Sequence, residues 1–180
     1  MHRNIILTLL EEYQLNYPNE KEVVDRFTSF INENKNCFER TLLKGHLTGS
    51  AWVLNNKKTH VLLTHHKKLN KWLQLGGHAD GDPNIISVAL REVKEESGLK
   101  NVEVIPNKIF DLDIHLIPSR GNEPEHYHYD VRFLFGVNGD EKYIVSSESF
   151  DLSWVKLTDI SKISSEESLL RMVRKTYDYI

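Results

Sequence analysis

The sequence predicts an α/β fold in which a mixed sheet lies between helical layers, and three observations carry that prediction. Apolar runs of strand length recur at 50–54, 60–64, 72–75, 102–105, 109–117, 127–137 and 152–157 of the 180 residues. One internal run, ending Arg91-Glu92-Val93-Lys94-Glu95-Glu96-Ser97-Gly98, has helical rather than alternating spacing. Further helical patterns stand at both ends of the chain, so that helices can cover both faces of the sheet.

Taken in order, residues 5–35 read as a helical hairpin. Ile5 to Tyr13 form its first arm, Tyr17-Pro18-Asn19 the break, and Glu20 to Asn32 the second arm, with Val23, Val24, Phe27, Phe30 and Ile31 as its apolar face. We take residues 1–45 as a helical extension packed on a domain spanning 46–180; a homodimer contact or a cover for the site are its other roles. Ser50-Ala51-Trp52-Val53-Leu54 and His60-Val61-Leu62-Leu63-Thr64 flank the polar Asn55-Asn56-Lys57-Lys58, which reads as a hairpin. Trp72-Leu73-Gln74-Leu75 is extended and feeds a turn at Gly76-Gly77. The following helix takes Asp82 as N-cap and Pro83 as its first residue, buries Ile86, Ala89, Leu90 and Val93, and stops at Gly98. Ser164 and Glu167 have capping-box spacing, which predicts a last helix running towards Tyr179.

Composition narrows the class. Lys plus Arg total 23 against 26 acidic residues, and a net charge of −3 argues against a general nucleic-acid binder. The single cysteine, Cys37, excludes an internal disulfide framework and suits a reducing compartment. No apolar run approaches the roughly twenty residues of a membrane span, and Met1-His2-Arg3-Asn4 leads into no secretory core. The expectation is a soluble cytoplasmic protein.

Two polar constellations carry chemistry. Glu92, Glu95 and Glu96 are three and four residues apart, so they share one flank of the helix beside the buried stripe. Alone, such a cluster is a solvated face; at the mouth of a glycine turn it can hold hard divalent cations against a phosphate chain. Arg91 can brace Glu95 or tie the turn to the helix. Downstream, Asp111, Asp113 and His115 alternate along one strand and His126, His128, Asp130 and Arg132 along the next, which suggests a shared pocket wall. Residues 118–125 read as a loop able to close over a substrate. A zinc site from His78, His126 and His128 is conceivable, although the spacing matches no dedicated zinc pattern.

Residues 76–99 resemble the signature of Nudix hydrolases. In that signature a glycine, five spacers, a glutamate and seven spacers precede Arg-Glu-aliphatic-x-Glu-Glu-x-Gly-aliphatic. Gly77 opens the pattern, and Arg91, Glu92, Val93, Glu95, Glu96, Gly98 and Leu99 fill its second half. One position departs, since the family's first glutamate, which supports the loop, falls on Pro83. The resemblance implies an α/β/α sandwich and a metal-dependent hydrolase. It implies that Glu92, Glu95 and Glu96, with the backbone carbonyl of Gly76 or Gly77, hold Mg²⁺ or Mn²⁺ and that Arg91 orients the glutamates. It places a further catalytic carboxylate at Glu148, before the last strand. Gly-Gly-His-Ala-Asp-Gly-Asp resembles a Nudix subgroup, which puts His78 and Asp80 on the substrate side with His126, His128, Asp130 and Arg132. The implied substrate is a small nucleotide-like diphosphate, either a nucleoside diphosphate linked to another moiety or a nucleoside triphosphate. Pro83 keeps a second expectation open, a domain that senses such a ligand without cleaving it.

Overall fold

Strand β1 (Gly45–Leu54) is the axis of the fold, and its alternation accounts for both faces of the sheet. Successive side chains of a strand point to opposite faces. Leu47, Ala51 and Val53 join one buried apolar cluster, while Trp52 and Leu54 join a second on the other face. In this computed structural model, which describes residues 2–67, 69–121, 123–146 and 149–180, every residue of β1 is buried.

The other strands are β2 (His60–His66), β3 (Lys71–Leu73), β4 (Leu75–His78), β5 (Val102–Val104), β6 (Asp111–Ile117), β7 (His126–Val137) and β8 (Ser149–Lys156). Among the described residues the sheet runs β3-β2-β1-β7-β5, with β4 also on β1, β6 on β7 and β8 on β2. The β1–β7 pair is parallel and the others antiparallel, so the sheet is mixed. Helices α1 (Asn4–Asn16), α2 (Lys21–Glu33) and α3 (Ile85–Ser97) pack Ile6, Phe27, Val88 and Val93 into the first cluster. Helices α4 (Ile160–Ile163) and α5 (Glu167–Thr176) pack Ile160, Leu169 and Met172 into the second. The result is an α/β class fold with helices on both faces and an N-terminal helical pair.

The helical hairpin follows the sequence expectation, with Pro18–Glu20 as a 3₁₀ turn between its arms. Four differences from the sequence expectation bear on the site and its flanking helices. β1 begins at Gly45 rather than Ser50, because His46, Thr48 and Ser50 are polar yet face inward. The extended piece at 72–75 splits at Gln74: β3 pairs with β2, whereas β4 pairs with β1. Gly76 and Gly77 are therefore strand residues opposite Ser50 and Gly49, and the reversal comes after them. The N-cap of α3 is Asn84 rather than Asp82. Asn84 Oδ1 accepts from Ser87 N–H at 3.2 Å, while Asp82 Oδ1 accepts from Asn84 N–H at 2.8 Å and leaves Pro83 in the turn. Gly98 ends α3 in the left-handed conformation at φ 69°, as expected. The last helix starts at Glu167, and the Ser164 hydroxyl accepts from Glu166 N–H at 3.2 Å, so no capping box forms.

Candidate functional site

The end of β4 and the second half of α3 meet through contacts that depend on glycine. A Cβ on Gly77 would lie 2.6 Å from the Glu92 carboxylate, and one on Gly76 would lie 2.2 Å from Ser50 Oγ. Hydrogen at Gly77 lets the Glu92 carboxylate come down onto the strand backbone, and hydrogen at Gly76 leaves room for the Ser50 hydroxyl of β1. Gly76 N–H donates to Glu96 Oε1 at 2.9 Å. Arg91 donates to the His78 carbonyl at 3.1 Å and to Glu92 Oε1 at 3.3 Å. Of the two roles open to it, Arg91 ties strand to helix and does not brace Glu95. Glu92 and Glu96 are half-buried and Glu95 is exposed. After β4, Asp80 pairs with Arg40 through both carboxylate oxygens, and Arg40 holds the Asp80 carboxyl below the usual carboxylate range.

The opposite face of β4 belongs to a polar row. In register, Asp111 opposes Arg132, Asp113 opposes Asp130 and His115 opposes His128 across β6 and β7. His46 opposes His128, and Thr48 opposes Asp130, across β1 and β7. Both alternating strands thus present their polar residues to one face, where α5 meets them. Asp130 accepts from Thr48 Oγ1 at 2.8 Å, Ser50 Oγ at 2.7 Å, Arg132 Nε at 2.8 Å and Gln74 Nε2 at 3.2 Å. Those four donors use the acceptor capacity of a carboxylate. Arg132 is buried and pairs with Asp111, Asp113 and Asp130. Asp130 and Arg132, expected to contact substrate, are instead satisfied inside the wall. The physical reason is burial: a charge in this interior must be paired where it stands.

Asp111 is the hub of the network. Its oxygens accept from Arg171 Nε at 2.8 Å, Lys175 Nζ at 2.7 Å and Arg132 at 3.1 Å. Burial raises the Asp111 carboxyl, and the Arg171 hydrogen bond with the charges of Arg132 and Lys175 outweighs that and leaves it below the ordinary range. Lys175 also reaches Tyr13 Oη at 2.6 Å and Glu20 at 2.7 Å, so α5 joins β6 to the N-terminal helices.

The histidines gather at the other end of the row. His126 Nε2 lies 3.3 Å from His128 Nε2, and His126 Nδ1 lies 2.8 Å from the Pro124 carbonyl. His46 contacts His78, His126 and His128, with ring centroids 4.9 to 5.0 Å apart. Burial, with the neighbouring rings, lowers His46 to about 4, and burial lowers His78 and His128 as well. Arg120 and Glu123, in the stretch expected to close over substrate, exchange both backbone hydrogen bonds.

The NUDIX domain model matches residues 45–175. The chain belongs to the Nudix family. A C. elegans Ap4A hydrolase shares its fold at TM-score 0.60, with 17% identity over 74% of this chain and 96% of that one. A NUDIX-family hydrolase from Clostridium perfringens does so at 0.54, with 24% identity over 75% and 98%. A MutT protein from Methanosarcina mazei does so at 0.55, with 19% identity over 76% and 96%. No curated protein matches the sequence.

Within the Nudix frame, the expected metal ligands form a set of hard oxygens: three glutamates on α3 and the carbonyl of a glycine that carries no side chain. That donor chemistry fits Mg²⁺ or Mn²⁺. The missing Cβ of Gly77 is what lets the Glu92 carboxylate, one of that set, close onto the strand. Pro83 supplies no carboxylate, and other contacts hold the Nudix loop: Arg91 on His78, Glu96 on Gly76 and Asp82 on Asn84. Glu148 lies outside the described residues. Sequence reasoning missed His46, Arg40 and the α5 cations Arg171 and Lys175. The period-two run His46-Thr48-Ser50 was a usable signal for the first. None of the helix described is long and apolar enough to cross a membrane.

Proposed function

We propose that this chain hydrolyses a phosphoanhydride bond of a nucleoside diphosphate linked to another moiety, or of a nucleoside triphosphate, with Mg²⁺ or Mn²⁺. The observation that carries the reading is the closure of Glu92 and Glu96 onto Gly77 and Gly76. It gathers carboxylates against a glycine strand end, the oxygen donor chemistry that hard cations and a polyphosphate need.

Glu92, Glu95 and Glu96, with the Gly76 carbonyl, form the metal-holding set. The bound cation would neutralise charge on phosphate oxygens and acidify a water molecule. Arg91 positions the set by fixing the His78 carbonyl relative to the helix. A carboxylate of the set, or Glu148, accepts the proton of the attacking water. His78, Asp80, His126 and His128 border the turn on its substrate side, with Asp130 and Arg132 bracing the wall behind them. Residues 1–45 act as an extension packed on the domain, in keeping with the place of Ile6 and Phe27 in its core.

The test is phosphate and nucleotide release from a panel of diphosphate compounds, with and without Mg²⁺, for the unmodified chain and Glu96→Gln. The panel includes a dinucleoside tetraphosphate, because an Ap4A hydrolase shares the fold. Mg²⁺-dependent turnover that Glu96→Gln abolishes supports the reading, and unchanged turnover in that variant overturns it. The second reading, a ligand sensor, is favoured by Pro83. It requires thermal stabilisation by a panel compound with no product formed.

A further inference from the structure

We propose that His46, His78 and His128 hold one divalent transition-metal ion of the zinc class, on the face of β4 opposite the Nudix carboxylates. Three strands supply one ligand each. His46 on β1 and His128 on β7 are register partners, and His78 ends β4 opposite Thr48, two residues beyond His46. One ligand atom from each of the three lies within 4.8 Å of the others. The ring centroids form a nearly equilateral triangle of 4.9, 4.9 and 5.1 Å.

His46 supplies an independent observation. It is 1% exposed, and among the described residues neither of its ring nitrogens has a hydrogen-bond partner. The Leu42 backbone lies near enough to favour a proton on the ring, but no contact to either nitrogen has the distance and angle of an ordinary hydrogen bond. Buried polar groups are ordinarily satisfied, and an ion at the centre of the triangle would satisfy this one. Zinc held by nitrogens at about 2.0–2.1 Å in a tetrahedron spaces them roughly 3.4 Å apart, so the triangle must tighten on binding. His126 already stands at that spacing from His128, at 3.3 Å, with its Nδ1 directed at the Pro124 carbonyl and its Nε2 turned towards the cluster. Imidazole nitrogen suits zinc and its neighbours, whereas Mg²⁺ takes oxygen, so the histidine site discriminates against magnesium. Arg40 is the nearby adverse charge, and Asp80 meets it.

Such an ion would clamp β4 to β1 and β7 at His78, the residue whose carbonyl Arg91 holds. The inference does not depend on hydrolysis, and its test reads the metal directly. The full chain, treated with chelator, is titrated with ZnCl₂ alone by calorimetry and melted with and without it, with MgCl₂ as the comparison. The expected result is saturation at one equivalent and a higher melting temperature with zinc and not with magnesium. Co²⁺ in place of zinc gives the intense visible bands of a tetrahedral site, with three imidazole nitrogens and a water as ligands. Because His46 is fully buried, the half-buried His78 and His128 carry the mutational arm. His78→Gln and His128→Gln, shown folded by circular dichroism, each weaken zinc binding by about 100-fold. Glu96→Gln and the control His65→Gln leave it unchanged. Absence of saturable zinc binding, full affinity in the two folded histidine variants, or loss of affinity in Glu96→Gln would each overturn the proposal.

Discussion

The Gly76 N–H donates to Glu96 Oε1 at 2.9 Å, joining a strand end to a helix twenty residues further along the chain. The same side chain therefore has two tasks, accepting this hydrogen bond and adding negative charge beside the turn. Glu96→Gln separates them. The amide oxygen can still accept from Gly76, so the melting temperature is expected to hold, whereas the lost charge weakens metal retention and turnover by at least about 100-fold. Thermal melts beside turnover at several Mg²⁺ concentrations check both halves.

Gly77→Ala probes the same closure from the strand side. The new methyl would sit 2.6 Å from the Glu92 carboxylate and meets only the far end of a flexible side chain, so Glu92 swings aside and the fold survives. A displaced ligand of about an ångström costs roughly 100-fold in rate. The expected outcome is a folded, monodisperse protein with turnover reduced on that scale. Wild-type turnover in Gly77→Ala would mean that Glu92 has no part in the chemistry.

How far the sequence could be read depended on how local each feature was. α3 and its glycine stop were legible, because spacing within thirteen residues encodes them, while the stripe was placed a residue or two off: Ile85 and Val88 are buried where Ile86 and Leu90 were expected. The alternating faces of β6 and β7 were legible for the same reason. His46 was not, because its meaning comes from a parallel pairing with β7, and the neighbouring Thr48 bonds Asp130 across 82 residues. Nor could spacing reveal that Arg132 turns inward to three carboxylates, or that α5 returns Arg171 and Lys175 to Asp111. An alternating polar strand looks the same whether its face opens to solvent or to a buried ion network. Here the helix packed on it decided the matter.

Asp111→Asn tests that network. The change keeps the shape of the side chain but leaves Arg132 and Lys175, both buried, short of a counter-charge. Breaking a buried ion group from one side costs about 3–5 kcal/mol. For a domain of this size that corresponds to a fall of the order of 10 °C in melting temperature. Asp111 lies away from the glutamate face, so the folded fraction is expected to retain its turnover. Calorimetry of both proteins measures the first effect and low-temperature kinetics the second.

The same carboxylate sets an acid limit. Facing Asp111 are Arg132 from β7, Arg171 and Lys175 from α5 and the Tyr13 hydroxyl from α1, with Asp113 beside it on β6. Its folded value lies below the unfolded one of about 3.9, so the unfolded chain takes up the proton first as pH falls. The stabilisation is thus complete above that value and is lost as pH drops below it towards the folded value. Denaturant midpoints are expected to be flat in this contribution above about pH 5 and to fall steeply below about pH 4. In Asp111→Asn the acid slope flattens, and an equal slope in both proteins would exclude Asp111 as its source.

Pro83→Glu restores the glutamate that the Nudix signature carries at this position. Were the loop dependent on that carboxylate, restoring it would raise turnover sharply. The contacts argue otherwise: Arg91 already holds the His78 carbonyl, Glu96 the Gly76 amide and Asp82 the Asn84 amide, so the turn is fixed on both sides of Pro83. Proline also limits the unfolded chain, and replacing it at a compatible position costs about 0.4–1 kcal/mol. The expected variant is slightly less stable, with a change in turnover that is small beside the Glu96→Gln loss. A silent wild-type chain that gains hydrolysis through Pro83→Glu would instead show that proline had made this domain a sensor.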